Sequence, residues 1–171
     1  MWNDTDTPLA YLITFRTYGT WLHGDVRGSI NRFRNTYGTS YLPSEESWLV
    51  RNTAKLKSAP VKLDARERVC VENAIRECCS IRGWNLFAIH VRTNHAHTVV
   101  ANSFKSAAAV MGAFKANATR EMRQKGLWTF EHSPWVDKGS IRNLWNEEHI
   151  ASAIEYVLYG QGDDLPKFLD D

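Results

Sequence analysis

The sequence predicts an α+β domain with the element order β, insertion, α, β, β, α, β, α. Three observations carry that reading. A β-rich run, "AYLITFRT", lies near the start between Pro8 and Gly19. Two long stretches with apolar residues at three- and four-residue spacing follow, each closed by glycine. Between them stand two short apolar runs separated by Thr93-Asn94, a pair suited to a tight turn.

The first strand is expected over Tyr11–Thr17, with Tyr11, Ile13 and Phe15 on one face under period-2 alternation. Residues 20–60 are irregular, rich in Gly, Asp, Arg and Asn, with a short helix start expected at Ser44. A segment of that length without periodicity is unusual inside a compact domain and is often functional. Asp64–Arg82 reads as a helix, because Val71, Ala74, Ile75, Cys78 and Ile81 fall on one face and Gly83 can close it. "WNLFAIHV" predicts a strand over Trp84–Arg92, and "HAHTVVA" a second over His95–Ala101. Ser103 is the expected N-cap of a helix running to about Lys125, with Gly126 ending it. "WVDKGSIRNLW" reads as a last strand or hairpin. Asn146 caps a final helix, Glu147 and Glu148 favour its first turn, and Gly160 and Gly162 break it. The central β-α-β-β-α-β run is the ferredoxin-like order, and all 171 residues are read as one domain with an insertion at about 20–60.

Composition narrows the class. Hydrophobic residues make up 43% and charged residues 23%, as in a water-soluble globular chain. Cys70, Cys78 and Cys79 are odd in number and lack C-x-x-C spacing, against a disulfide framework or a structural zinc site; buried thiols are expected. The start, "MWNDTDTPLAY", has no basic and apolar leader, and no apolar run reaches membrane-spanning length, so a cytoplasmic protein without a membrane partner is expected. Formal net charge is only +2, but its distribution is uneven. Lys105, Lys115, Arg120, Arg123 and Lys125 face a single acid, Glu121, in one predicted helix. Such a stripe suits a polyanion and equally suits a solvated helix face.

The chemistry-bearing pattern is His95-Ala96-His97. Strand residues i and i+2 share a face about 7 Å apart, so both imidazoles can converge on one divalent ion. Taken alone, an H-x-H of this kind is met more often as two ordinary strand residues. Other nucleotide-handling motifs fit poorly. A histidine-triad hydrolase needs a third alternating His, where this chain has Val99. A two-histidine phosphoesterase needs a second H-x-T or H-x-S, and the aromatic strand of an RNA-recognition module is missing.

Three blocks in order change the balance. "RTNHAHTVVA" resembles the HUH motif of single-strand transposases with one catalytic tyrosine, particularly the REP-associated tyrosine transposases and related insertion-sequence enzymes. "TFRTYGTWLHGDVRGS" and "KGSIRNLWNEEHIASAIEYVLYGQGDDLP" resemble two further blocks of one branch. The resemblance implies a ferredoxin-like homodimer that nicks and rejoins single-stranded DNA flanked by hairpins. It also implies Mg or Mn held by His95 and His97, and a 5′-phosphotyrosine intermediate on Tyr156, with Tyr159 the rival nucleophile one turn away. Many relatives carry a further metal ligand four residues after the tyrosine. Here that position is Gly160, and Gln161 follows as the candidate. Lys105, Lys115, Arg120 and Arg123, with Arg92, Lys138 and Arg142, become candidate phosphate contacts. Trp21 and Trp135 are candidates for base stacking or for the core. His149 is expected to cap or pack rather than to ligate. Two other readings stay open: a non-catalytic hairpin-binding protein of the same fold, and a metal-dependent phosphoesterase for small nucleotides.

Overall fold

The computed structural model describes residues 7–19 and 59–161. The expected helix start at Ser44, with Trp21, His23 and most of the predicted insertion, lies outside them. Seven elements follow in order: β1 (Ala10–Arg16), α1 (Ala65–Arg82), β2 (Leu86–Val91), β3 (His95–Ala101), α2 (Ala107–Gln124), β4 (Ser140–Leu144) and α3 (Glu147–Tyr159). The sheet order is β2-β3-β1-β4, with every neighbouring pair antiparallel. β1 therefore runs parallel to β2 with β3 between them, and β3 parallel to β4 with β1 between. This is the split β-α-β arrangement twice over, the ferredoxin-like fold expected from the element order.

Local chemistry explains the element ends. Asp64 caps α1 in a reciprocal box: its side chain accepts from the Glu67 amide at 2.8 Å, and Glu67 accepts from the Asp64 amide at 2.8 Å. Gly83 closes the helix at φ 70, where a side chain would be strained, and the Trp84 amide turns back to the Cys79 carbonyl. That use of Trp84 is why β2 starts two residues later than the apolar run suggests. α2 starts later as well. Its cap is Ser106, whose hydroxyl accepts from the Ala109 amide at 3.1 Å, whereas Ser103 accepts from Lys105 and closes a preceding turn. Both serines offer the same chemistry, and the turn decides between them.

Alternation splits the sheet into two faces. Ile13, Phe15, Ile89, Val91, Ala96 and Val100 pack under α1 and α2, against Val71, Ile75, Val110, Phe114 and Ala118. Ala10, Ala88, Val99 and Leu144 face the other way and pack against Ala153 and Val157 of α3. Cys70, Cys78 and Cys79 are free and buried in the first layer, and burial pushes the Cys79 thiol up to about 12. Trp135 is also core there: it is 3% exposed and meets Phe15 edge-on at 4.9 Å, so it is not a stacking surface for bases. Among the described residues no helix is long and apolar enough to cross a membrane.

The turn before β4 is tightly fitted. Lys138 adopts φ 66, and a Cβ on Gly139 would stand 2.5 Å from the Thr14 carbonyl oxygen and 2.7 Å from Met111 Sδ. The carbonyl belongs to a central strand and cannot yield. Gly139→Ala is therefore expected to destabilise the fold by about 1–3 kcal/mol, read as a lower urea midpoint with an unchanged slope.

Candidate active site

The antiparallel register builds a polar end onto the α3 face of the sheet. His95 and His97 alternate with Ala96, so they leave the α1/α2 core and stand on the side covered by α3. Their rings are 4.6 Å apart, centroid to centroid. Across from them on β1, Thr14 pairs with His97 and Arg16 with His95. On β2, His90 pairs with His97. The last turn of α3 then brings in a tyrosine. The Tyr156 ring lies 5.5 Å from that of His97, at 69°.

Each histidine of the pair has one ring nitrogen anchored. His95 Nδ1 lies 2.6 Å from Asn94 Oδ1, and His97 Nδ1 lies 2.6 Å from Thr14 Oγ1. The Asn94 oxygen can only accept, so Nδ1 of His95 carries its proton. Its Nε2 then carries the ring's lone pair. Facing it at 3.4 Å is Gln161 Oε1, a second acceptor. Two acceptors opposed across such a gap fit a cation held between them, and an Nδ1–H anchored on a neighbour is the usual setting of a metal-binding imidazole. α3 ends at Tyr159, and the break at Gly160 lets Gln161 turn back to the site. Its amide Nε2 donates to the Tyr156 carbonyl at 3.1 Å, which fixes which end of the side chain faces His95.

Burial sets the charge state. His97 is 5% exposed. Desolvation, with His95 nearby, pushes its pKa down to about 3. Burial likewise holds His95 at about 4, the Arg92 cation adding to the effect. Both are neutral at pH 7, the state a ligand requires. The same shifts bear on stability. Above pH 6.5 neither folded nor unfolded histidine binds a proton. As pH falls below 6.5 the unfolded chain takes up protons that the folded chain refuses, until about pH 4 for His95 and pH 3 for His97. In chelator, the protein is expected to lose stability from pH 6.5 downward, at up to about 1.4 kcal/mol per pH unit for each histidine. Urea midpoints at pH 7.5, 6 and 5 check this, with a shallower fall in His97→Gln.

The candidate phosphate contacts divide by face. Arg92, at the end of β2, stands beside His95, and its amide donates to the His95 carbonyl at 2.8 Å. Arg142 pairs with Leu12 on the histidine face; its Nη1 is buried and has no hydrogen-bond partner among the described residues. The α2 cations lie on the other side of the sheet. Lys115 donates to the carbonyls of Val136 (2.9 Å) and Lys138, fastening the turn before β4, and burial lowers its pKa. Arg123 donates to the carbonyls of Phe130 and Glu131, and Arg120 to Asn117 Oδ1. Lys105 precedes α2 on that same far layer, and Lys138 lies in the turn Lys115 holds. The structure does not bring these five to the histidines. His149 takes a capping role, its amide donating to Asn146 Oδ1 and its Nδ1 accepting from the Trp145 amide.

Three neighbours of the pair were not singled out in the sequence. Thr14 and Arg16 follow from the alternation of "YLITFR": once Ile13 and Phe15 point inward, Thr14 and Arg16 point to the other face. His90 follows from the two-residue turn, since Arg92 opposite His95 sets His90 opposite His97.

No family model and no curated protein matches the chain. Among solved structures it is similar to a REP-associated tyrosine transposase bound to a REP hairpin, with 11% identity and a TM-score of 0.46, over 92% of this chain and 67% of the other. It is also similar to a candidate transposase from Deinococcus radiodurans R1, with 12% identity and a TM-score of 0.46, over 91% and 92% of the two chains.

Proposed function

We propose that the protein is a metal-dependent single-strand DNA endonuclease and strand transferase that works through a 5′-phosphotyrosine on Tyr156. The observation that carries this reading is convergence. His95 and His97 on β3, Tyr156 on α3 and Gln161 just beyond it meet at one end of the sheet. Core packing explains neither Tyr156, which is 45% exposed, nor Gln161, which lies beyond the helix. Two of the three sequence blocks that resemble single-tyrosine HUH transposases contain these same four residues.

His95 Nε2, His97 Nε2 and Gln161 Oε1 would hold the divalent ion, Mg or Mn. Bound there, such an ion supplies Lewis-acid polarisation of a phosphate oxygen. The chain's own groups do the rest. The Tyr156 phenol, open to water on one side, gives its proton to solvent and its oxygen attacks the phosphorus. The P–O bond to the 3′ oxygen breaks, and that oxygen takes a proton from solvent and leaves as a 3′ hydroxyl. The phosphodiester is conserved as a tyrosyl ester, so an incoming 3′ hydroxyl can reverse the step without ATP. Arg16 and Arg92 flank His95 and are placed to hold the strand's non-bridging oxygens. Arg142 extends the same face toward β4. Lys105, just before α2, and the α2 cations Arg120 and Arg123 are proposed for the duplex stem of a hairpin that passes the sheet edge, with Lys138 beside them, and Lys115 for structure. Action of the tyrosine within one copy of a homodimer is proposed, supported by the 5.5 Å between the Tyr156 and His97 rings of a single chain.

The test is a denaturing gel of protein, Mn and labelled single-stranded DNA carrying a hairpin. A slow-migrating covalent product supports the proposal. Hairpin binding without a product favours a non-catalytic DNA-binding role, and turnover of small nucleotides without a product favours a phosphoesterase.

A further inference from the structure

Among the described residues of the sheet, His90 is the histidine on this face with no part in the reaction above. It pairs across the hairpin with His97. Its Nδ1, however, lies 3.0 Å from the carbonyl oxygen of Val157 on α3. A carbonyl only accepts, so His90 donates its Nδ1–H.

That carbonyl matters because of where it sits. α3 ends at Tyr159, so carbonyls of its last turn lack the amides that would follow in a longer helix. The Tyr156 carbonyl is met by the Gly160 amide at 2.9 Å and by Gln161 Nε2 at 3.1 Å. The Val157 carbonyl is met from across the fold, by His90. The helix also has a narrow footing. Ala153 and Val157 are its only buried residues, with Ile150 and Ile154 partly so. Apolar contacts are non-directional and resist a small roll of a helix weakly. A hydrogen bond near 3 Å is directional and resists it. A roll about that footing would swing Tyr156, on the next residue, away from His97, and take Gln161 from His95.

We propose that His90 is a positioning residue: its bond to the Val157 carbonyl fixes the roll of the last turn of α3, and so holds Tyr156 at His97 and Gln161 at His95. The claim rests on the tyrosine chemistry proposed above, but its structural half can be read without DNA.

The experiment compares the full-length wild type with His90→Leu, which keeps bulk without a donor, and His90→Asn, which keeps a donor near the Nδ1 position. His90→Ala replaces His90→Leu if the latter does not fold. Amide hydrogen exchange is measured over the last turn of α3 in DNA-free protein. Mn affinity and the single-turnover rate of adduct formation at saturating metal and DNA are measured alongside. In His90→Leu, exchange of the Gly160 amide, which donates to the Tyr156 carbonyl, should rise roughly 10-fold. The single-turnover rate should fall roughly 10- to 100-fold, as for a displaced reacting group. Mn affinity should fall as well, by roughly 3- to 10-fold, because the displaced Gln161 is one of the three proposed ligands, and His90→Asn should restore exchange, rate and affinity together. Unchanged exchange in His90→Leu overturns the tether. A loss of rate and Mn affinity with exchange unchanged makes His90 a ligand instead. Failure of His90→Asn to restore these readouts overturns the role of the donor. If the wild type forms no adduct, the tyrosine chemistry fails, and the exchange comparison still decides the tether.

Discussion

Tyr156→Phe is expected to abolish the covalent DNA product and to lower strand cleavage by about 10⁴-fold or more, while hairpin binding stays near that of the wild type. In the proposed reaction the phenol oxygen is the atom that attacks, and among the described residues no other hydroxyl-bearing ring stands against His97. Tyr159 is one turn along, 79% exposed, and makes no ring contact with the histidine pair among the described residues, whereas Tyr156 does. Removing one half-exposed hydroxyl leaves the ring on His97 and the fold intact, so the effect isolates chemistry from stability. Tyr159→Phe serves as the control and should retain most activity. Reversed results for the two variants would move the nucleophile to Tyr159.

The second large effect concerns the metal. His97→Ala should lower Mn affinity by about 100-fold or more and remove metal-dependent cleavage with it. His97 is 5% exposed and anchored on Thr14, so its Nε2 is oriented before any ion arrives. Thr14→Val tests that orientation separately. It removes the 2.6 Å hydrogen bond while keeping the strand's shape, and should weaken Mn binding by roughly 10-fold. Titration calorimetry with Mn on both variants checks the order. Equal affinity in wild type and His97→Ala would remove the histidine pair from any metal site.

Much of the arrangement was legible in the sequence because it depends on short-range rules. Two-residue alternation puts His95 and His97 on one face, and the Thr93-Asn94 turn puts β2 beside β3. Asn146 and the acidic first turn mark the start of α3, and Gly160 marks its end. What stayed hidden depends on pairings between distant segments. Thr14 reaches His97 across 83 residues of chain, and His90 reaches Val157 across 67. The place of the basic stripe of α2 was hidden for a related reason. Charge spacing shows that a helix is basic, not which side of the sheet it covers. Both crossover helices share the face opposite the histidines, and Lys115 spends its charge on two backbone carbonyls. The choice between Ser103 and Ser106 shows the same limit at short range, since either hydroxyl could cap and only the turn geometry selects one.

The central claim is that one chain's Tyr156 becomes joined to DNA beside His95 and His97. Its most direct test is to trap the product with Mn and a hairpin-bearing single strand, digest protein and DNA, and map the modified peptide by tandem mass spectrometry. The expected result is a nucleotide 5′-phosphate on Tyr156. A nucleotide on Tyr159, or no modified tyrosine under conditions that cleave the DNA, would contradict it.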